Sequence, residues 1–181
     1  MSADNFTQST VAALTALKTR IAAVQWEGRD AFDKVELFDM TDLPRALREL
    51  LTFGNRVCLV ILDFESWETE TFGQELRAHQ TRALELLIAD RHWGNRQLAL
   101  IGGDDTPGAL ALKDLVLPAV FGLLVAGTNT ASGLYCVPGD GELIELQDKA
   151  RDELAGRIVW RQGLRITGGL LRAQLGKRPI T

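Results

Sequence analysis

A chain of 181 residues, 46% apolar and 24% charged, can bury the core of one domain, which excludes a low-complexity or disordered protein. Its net charge of −4 excludes an overall basic field of the kind that holds a nucleic acid backbone. The polar start "MSADNFTQST" lacks a signal-peptide pattern, and the longest apolar run, near Leu115–Ala126, is short and holds a proline. The expectation is therefore a soluble intracellular protein in which Cys58 and Cys136 are reduced and mostly buried.

In chain order, Ser9 or Thr10 caps a first helix whose apolar face is Val11, Leu14, Leu17, Ile21 and Val24, with Trp26 and Gly28 near its end. "FDKVELFDM" gives a short strand, Val35 to Met40. A second helix is expected from Asp42, with Pro44 in its first turn, ending before Gly54–Asn55. "RVCLVILDF" is the strongest strand, and its continuous apolar run predicts burial on both faces. "ESWETETFGQE" carries Glu65, Glu68, Glu70 and Glu75 and no base, which predicts a long exposed loop, Phe64–Gln80.

"RALELLIADR" and "RQLALIGG" flank "HWGN", which reads as a β-hairpin with its tip at His92–Asn95. In "IGGDDTPGALALKDLVLPAVFGLLVAG", Thr106 caps a helix, Pro107 occupies its first position, Pro118 kinks it and Gly127 ends it. "GLYCVP" and "ELIELQD" are two strands around the turn Gly139–Asp140–Gly141. "RIVWRQGLRITG" is a longer strand whose alternation slips near Gly163, which suggests a bulge, and Trp160 in it reads as core. The domain is expected to span 1–169, followed by a mobile basic tail, 170–181, with Arg172, Lys177, Arg178 and no acid. Hairpins and helices together predict an α+β fold, a mainly antiparallel β-sheet flanked by helices.

No residue pattern carries chemistry convincingly. "GGDDTPGA" lacks the Lys-Ser/Thr of a phosphate loop and the glycine spacing of a dinucleotide fingerprint, and Asp104 and Asp105 would repel phosphate. The adjacent aspartates fit the dipole of the helix that follows better than a cation. His79, His92, Cys58 and Cys136 have no zinc-like spacing, and no G-x-S-x-G motif occurs. The expectation is no catalytic residue, no cofactor-binding residue, no metal ligand and no enzyme. Phe64, Trp67, Phe72, His92 and Trp93 fall in expected loops and are candidate protein contacts.

The order of elements and several local phrases resemble the tail-terminator, or tail-completion, proteins of tailed bacteriophages, of the Mu-like contractile-tailed type. "STVAALTALKTRIAAV", "RVCLVILDFES", "TRALELLIADRHWGNRQLAL", "TPGALALKDLVLPAVFGLLVAG" and "LYCVPGD…RIVWRQGLRI" carry the resemblance, over Val11 to Thr167. It implies a ring, commonly a hexamer, that caps the tail tube and offers the head-tail joining surface. Its partners would be other copies of itself, the tail tube protein and the head-tail connector proteins, with no membrane. The protein would sit in the host cytoplasm during assembly and then in the virion tail. DNA would pass through without specific binding, and Glu65, Glu68 and Glu70 are expected to face that lumen, where like charge keeps DNA from sticking. The alternatives are a small hydrolase-like enzyme, with a pocket joining Asp63 and Glu65 to His79 or His92, and a bacterial tube or adaptor protein.

Overall fold

A computed structural model describes residues 10–39, 54–92, 95–122, 124–126, 134–144 and 157–174. The helix expected from Asp42 and the candidate contact Trp93 lie outside these residues.

Helix α1 spans Thr10–Ala22. Its buried stripe is Ala13, Leu17 and Ile21, four residues apart, and Val24 extends it, whereas Val11 is exposed. A two-residue hairpin follows, β1 (Gln25–Trp26) against β2 (Arg29–Asp30). Its turn residues Glu27 and Gly28 both have positive φ, at 50° and 76°, as tight antiparallel turns require. Strand β3 (Lys34–Asp39) then runs parallel to β4 (Val57–Phe72). Strand β5 (Glu75–Arg91) returns antiparallel to β4 along its whole length.

The expected loop Phe64–Gln80 is thus a β-hairpin, turning at Gly73, whose φ is 62°. Four glutamates made it read as a loop. In the fold Glu65 is bound by Arg82 and Gln80 and Glu70 lies beside His79, all on β5, while Glu75, on β5 itself, is bound by Arg77 two residues along.

The expected second strand of a hairpin, "RQLALIGG", is instead helix α2 (Arg96–Ile101). The Asn95 side chain caps it, accepting from the amides of Gln97 and Leu98 at 3.0 and 3.2 Å. Gly102, at φ 89°, ends α2, and Gly103 closes a loop by donating to the Thr106 carbonyl at 2.8 Å. Helix α3 spans Gly108–Val120. "GGDDTPGA" is therefore a joint between two helices, and its glycines are required sterically. A Cβ on Gly102 would stand 2.2 Å from the Pro107 carbonyl oxygen, and one on Gly108 would stand 2.2 Å from the Gly102 nitrogen.

Thr106 does not cap α3. Its hydroxyl donates to Asp90 Oδ2 at 2.5 Å, and the Gly108 amide donates to the same oxygen at 2.9 Å. The carboxylate at the α3 N-terminus thus comes from the end of β5, while Asp104 and Asp105 are exposed. Burial pushes the Asp90 carboxyl above its usual range, against hydrogen bonds from Thr106, Arg91 and Gly108. Pro118 is accommodated in the last turn of α3, which stops at Val120, short of Gly127.

Three strands complete the sheet. Strand β6 is Leu124–Ala126, β7 is Leu134–Leu143 and β8 is Arg157–Gln174. Gly139–Asp140–Gly141 does not separate two strands. It is an irregularity inside β7, between Pro138 and Gly141 and opposite Gly163 of β8. Strand β8 also runs on past Gly169 to Gln174, so the first part of the expected tail is paired with β5. Residues 175–181 lie outside the described ones.

The sheet has six strands in the order β3-β4-β5-β8-β7-β6, antiparallel except for β3 with β4. The fold is α+β. Helices α1 and α3 cover one face, where Leu17, Ile21, Leu112 and Val116 meet Cys58, Val60, Leu86, Ile88 and Ile166. On that face Trp160 is half-buried, with the Lys113 ammonium 5.2 Å from its ring centre. On the other face Val57, Leu59, Ile61, Leu87, Ala89 and Val159 are also buried. The core strand is buried on both faces, as its unbroken apolar run predicts. Cys58 and Cys136 are free and buried, and burial pushes the Cys136 thiol up to about 12.

Candidate functional site: an exposed three-stranded arm

The same three strands that cross the core continue beyond it. Strand β3 pairs with β4 only as far as Leu62, and β7 pairs with β8 only as far as Thr167. From there β4 (Asp63–Phe72), β5 (Glu75–Ala83) and the end of β8 form a three-stranded antiparallel arm. At about 3.3 Å per residue its longest strand reaches roughly 30 Å.

Two bulges mark its base. Between Leu62 and Phe64, β4 carries an extra residue, Asp63. Leu62 lies opposite Leu84, which belongs to the helix-covered core, yet Phe64 lies opposite Ala83, on the other face. One inserted residue exchanges the two faces of everything that follows. On β8, Gly168 and Gly169 lie between the pairs Thr81–Thr167 and His79–Leu170, where glycine suits the irregular backbone.

The bulge decides how the candidate residues divide. Glu65 and Trp67 project from the helix-covered side, and Phe64, Glu68 and Glu70 from the opposite side. The three glutamates expected to share one wall therefore do not share a face. Glu65 accepts from Arg82 Nε at 3.0 Å and from Gln80 Nε2 at 2.7 Å. Arg82 is almost fully buried, so its pair with Glu65 ties β4 to β5 at the base of the arm. Glu70 stands 3.3 Å from His79 Nε2, both half-exposed. Asp63 and Glu68 make no ion pair among the described residues.

Phe64 and Trp67 are 53% and 40% exposed, unusual for side chains of that size and on opposite faces of one strand. Phe72 ends β4 at the hairpin turn. His92 is half-buried just beyond β5, away from the arm.

On the face of Phe64, a shallow groove of about 550 Å3 runs past Asp63, Ser66, Glu68 and Asp140 to Arg165. It adjoins a recess of about 320 Å3 between Glu85, Glu142 and Arg161. There Arg161 Nε donates to Glu85 Oε1 at 2.8 Å, and this bond holds the guanidinium pKa above its usual value.

The pocket expected of a hydrolase is not assembled. Glu65 points to the face opposite the Asp63 groove and is engaged by Arg82 and Gln80. His79 and His92 sit thirteen residues apart along β5 and the residue after it, roughly 40 Å at strand spacing. No family model matches the chain, and a search of curated proteins finds no match. No helix among the described residues is long and apolar enough to cross a membrane.

Proposed function

We propose that this chain is a structural assembly protein of the phage tail-terminator type, which caps the tail tube as a ring and forms the surface that joins tail to head. The observation that carries this reading is the arm. A strand that is wholly buried at Val57–Ile61 continues as a strand with both faces exposed from Phe64 to Thr71. A monomer gains little by extending β4 with its two faces in solvent and two large aromatic side chains on it, whereas an assembling subunit gains contact area.

The parts divide naturally. The core, with α1 and α3 on one face, holds the arm rigid. Phe64 and Trp67, on opposite faces, each meet a different neighbour: another copy, the tube, or the head-tail connector. A ring built from contacts between two different patches closes by rotation, and six copies is the number the resemblance implies. Glu68 and Glu70, which share a face, are the acids suited to repel passing DNA. No turnover and no cofactor are part of this role.

The test is direct. Purified protein is mixed with tail tubes from a matched phage and viewed by negative-stain electron microscopy. Rings on one end of the tubes are the expected result. Bare tube ends at saturating protein would sink the proposal.

A further inference from the structure

At the end of the sheet opposite the arm, two arginines face each other. Arg91 closes β5 and Arg157 opens β8, and the two are direct partners across the ladder. By strand alternation both side chains project on the face of Ala89 and Val159, away from α1 and α3. Like charges directly opposite each other in a sheet destabilise it.

Arg157 is 3% exposed. A buried arginine is normally paired with a carboxylate. Arg157 makes no ion pair among the described residues, and its one hydrogen bond runs from Nη2 to the Gly54 carbonyl. Nε and Nη1 are buried and have no hydrogen-bond partner among the described residues. The two nearby carboxylates are engaged elsewhere. Asp33 holds the Arg56 guanidinium at 2.8 Å and the amides of Asn55 and Arg56. Asp90 takes the Thr106 hydroxyl and the Gly108 amide, on the helix-covered face. Burial first, and the charge of Arg91 second, push the Arg157 guanidinium down to about 10, the mark of a cation short of compensation.

We propose that Arg157, beside Arg91, binds a small divalent oxyanion, phosphate or sulfate, at this end of the sheet. A guanidinium has donors and no acceptor, so only an acceptor satisfies Nε and Nη1. Its planar fork suits the oxygens of a tetrahedral oxyanion, and the bond to Gly54 fixes the plane of that fork in advance. Two negative charges match two guanidiniums, which a neutral acceptor does not. An anion enclosed there acts on stability: by linkage, the fold becomes more stable as the anion concentration rises. The site is independent of the assembly role proposed above.

The test uses inorganic phosphate. Wild type freed of phosphate and sulfate by dialysis is melted over a millimolar series of sodium phosphate, against sodium chloride of equal ionic strength. The midpoint should rise with phosphate and not with chloride. Arg157→Met, of similar reach and no charge, should be flat in both salts. Arg96→Met, at an exposed position, should respond as wild type does. Equilibrium dialysis of wild type with radiolabelled phosphate should find it bound, and excess sulfate should displace it. Arg157→Lys, which keeps the charge without the fork, should weaken that binding roughly tenfold, the loss of one charge-assisted hydrogen bond. The dialysis needs wild type alone, so it decides the matter even if Arg157→Met does not fold. Absence of bound phosphate overturns the proposal and leaves Arg157 to water. A phosphate response in Arg157→Met equal to that of wild type overturns it as well, by placing the anion elsewhere.

Discussion

The two halves of β4 make an instructive pair. Val57 to Ile61 are all buried, between β3 and β5 and beneath apolar groups on both faces. Phe64 to Thr71 belong to the same strand and the same ladder with β5, yet they are exposed, save for half-buried Ser66. The first half is paired on both edges, by β3 and β5, and the second by β5 alone among the described strands. Burial differs as well. The first half stabilises the fold through apolar area removed from water, and the second half contributes little to the monomer. This is the half that the proposed assembly role would use.

The largest break in this comparison comes from trimming matched positions. Ile61, fully buried, should cost about 2–5 kcal/mol as Ile61→Ala, through lost transfer energy and the cavity left behind. Thr69→Ala on the arm should change stability by less than about 0.5 kcal/mol. Urea unfolding of both variants reads the contrast. Comparable losses would mean that the arm is part of the cooperative core. Next in size is Asp90→Ala, which strands the Thr106 hydroxyl and the Gly108 amide at the start of α3. The expected cost is about 2–4 kcal/mol. A variant as stable as wild type would show that α3 is held by its apolar face alone.

These residues also show what a linear reading can reach. The buried half of β4, α1 and most of α3 were legible because their apolar spacing is a local property. The arm was not, because the partners of Glu65 and Glu70 come from the neighbouring strand: Gln80, Arg82 and His79 on β5. Period-two alternation was further masked by the extra residue Asp63, which exchanges faces in mid-strand. Helix α2 was missed because "RQLALI" is short and apolar, a pattern that strand and helix share. Its signal was Asn95, read as a turn residue and used as a cap. The aromatic candidates Phe64 and Trp67 were legible as exposed large side chains. Their placement on opposite faces was not.

The junction between core and arm should respond in an intermediate way. Glu65→Ala removes the carboxylate that Arg82 and Gln80 share, at an expected cost of about 1–3 kcal/mol, whereas Glu65→Gln keeps part of the hydrogen bonding and costs less. Equal effects of the two substitutions would mean that charge is not what ties β4 to β5 at the base of the arm.

A smaller effect separates two carboxylates by sign, Asp33 at the surface and Asp90 in the interior. Burial opposes charge on Asp33, but hydrogen bonds from the Arg56 and Asn55 amides and the Arg56 guanidinium outweigh it and hold the carboxyl below its usual 3.8. Its contribution is therefore present above that pH and is lost as pH falls through the lowered value. Asp90, raised above 3.8, acts oppositely: it favours the fold when protonated, and that advantage fades as pH rises through its raised value. Asp33→Asn should flatten the loss of stability as pH falls below the usual carboxylate value of 3.8, relative to wild type. An unchanged acid limb would assign that limb to other carboxylates.

The smallest change in stability should accompany the largest change in assembly. Phe64→Ser and Trp67→Ser remove apolar surface that is already half in water, so unfolding midpoints should move by less than about 0.5 kcal/mol. If the arm meets different neighbours on its two faces, the variants should fail differently. One should lose contact between copies, seen in sedimentation, and the other should lose tube capping while still self-associating. Identical failure would mean that both aromatics serve one interface, reached around the edge of β4. That outcome would bring this edge, rather than the faces of the arm, to the centre of the contact. A variant that unfolded would instead place its aromatic ring in the monomer's own packing, and the contrast between the two halves of β4 would no longer hold at that residue.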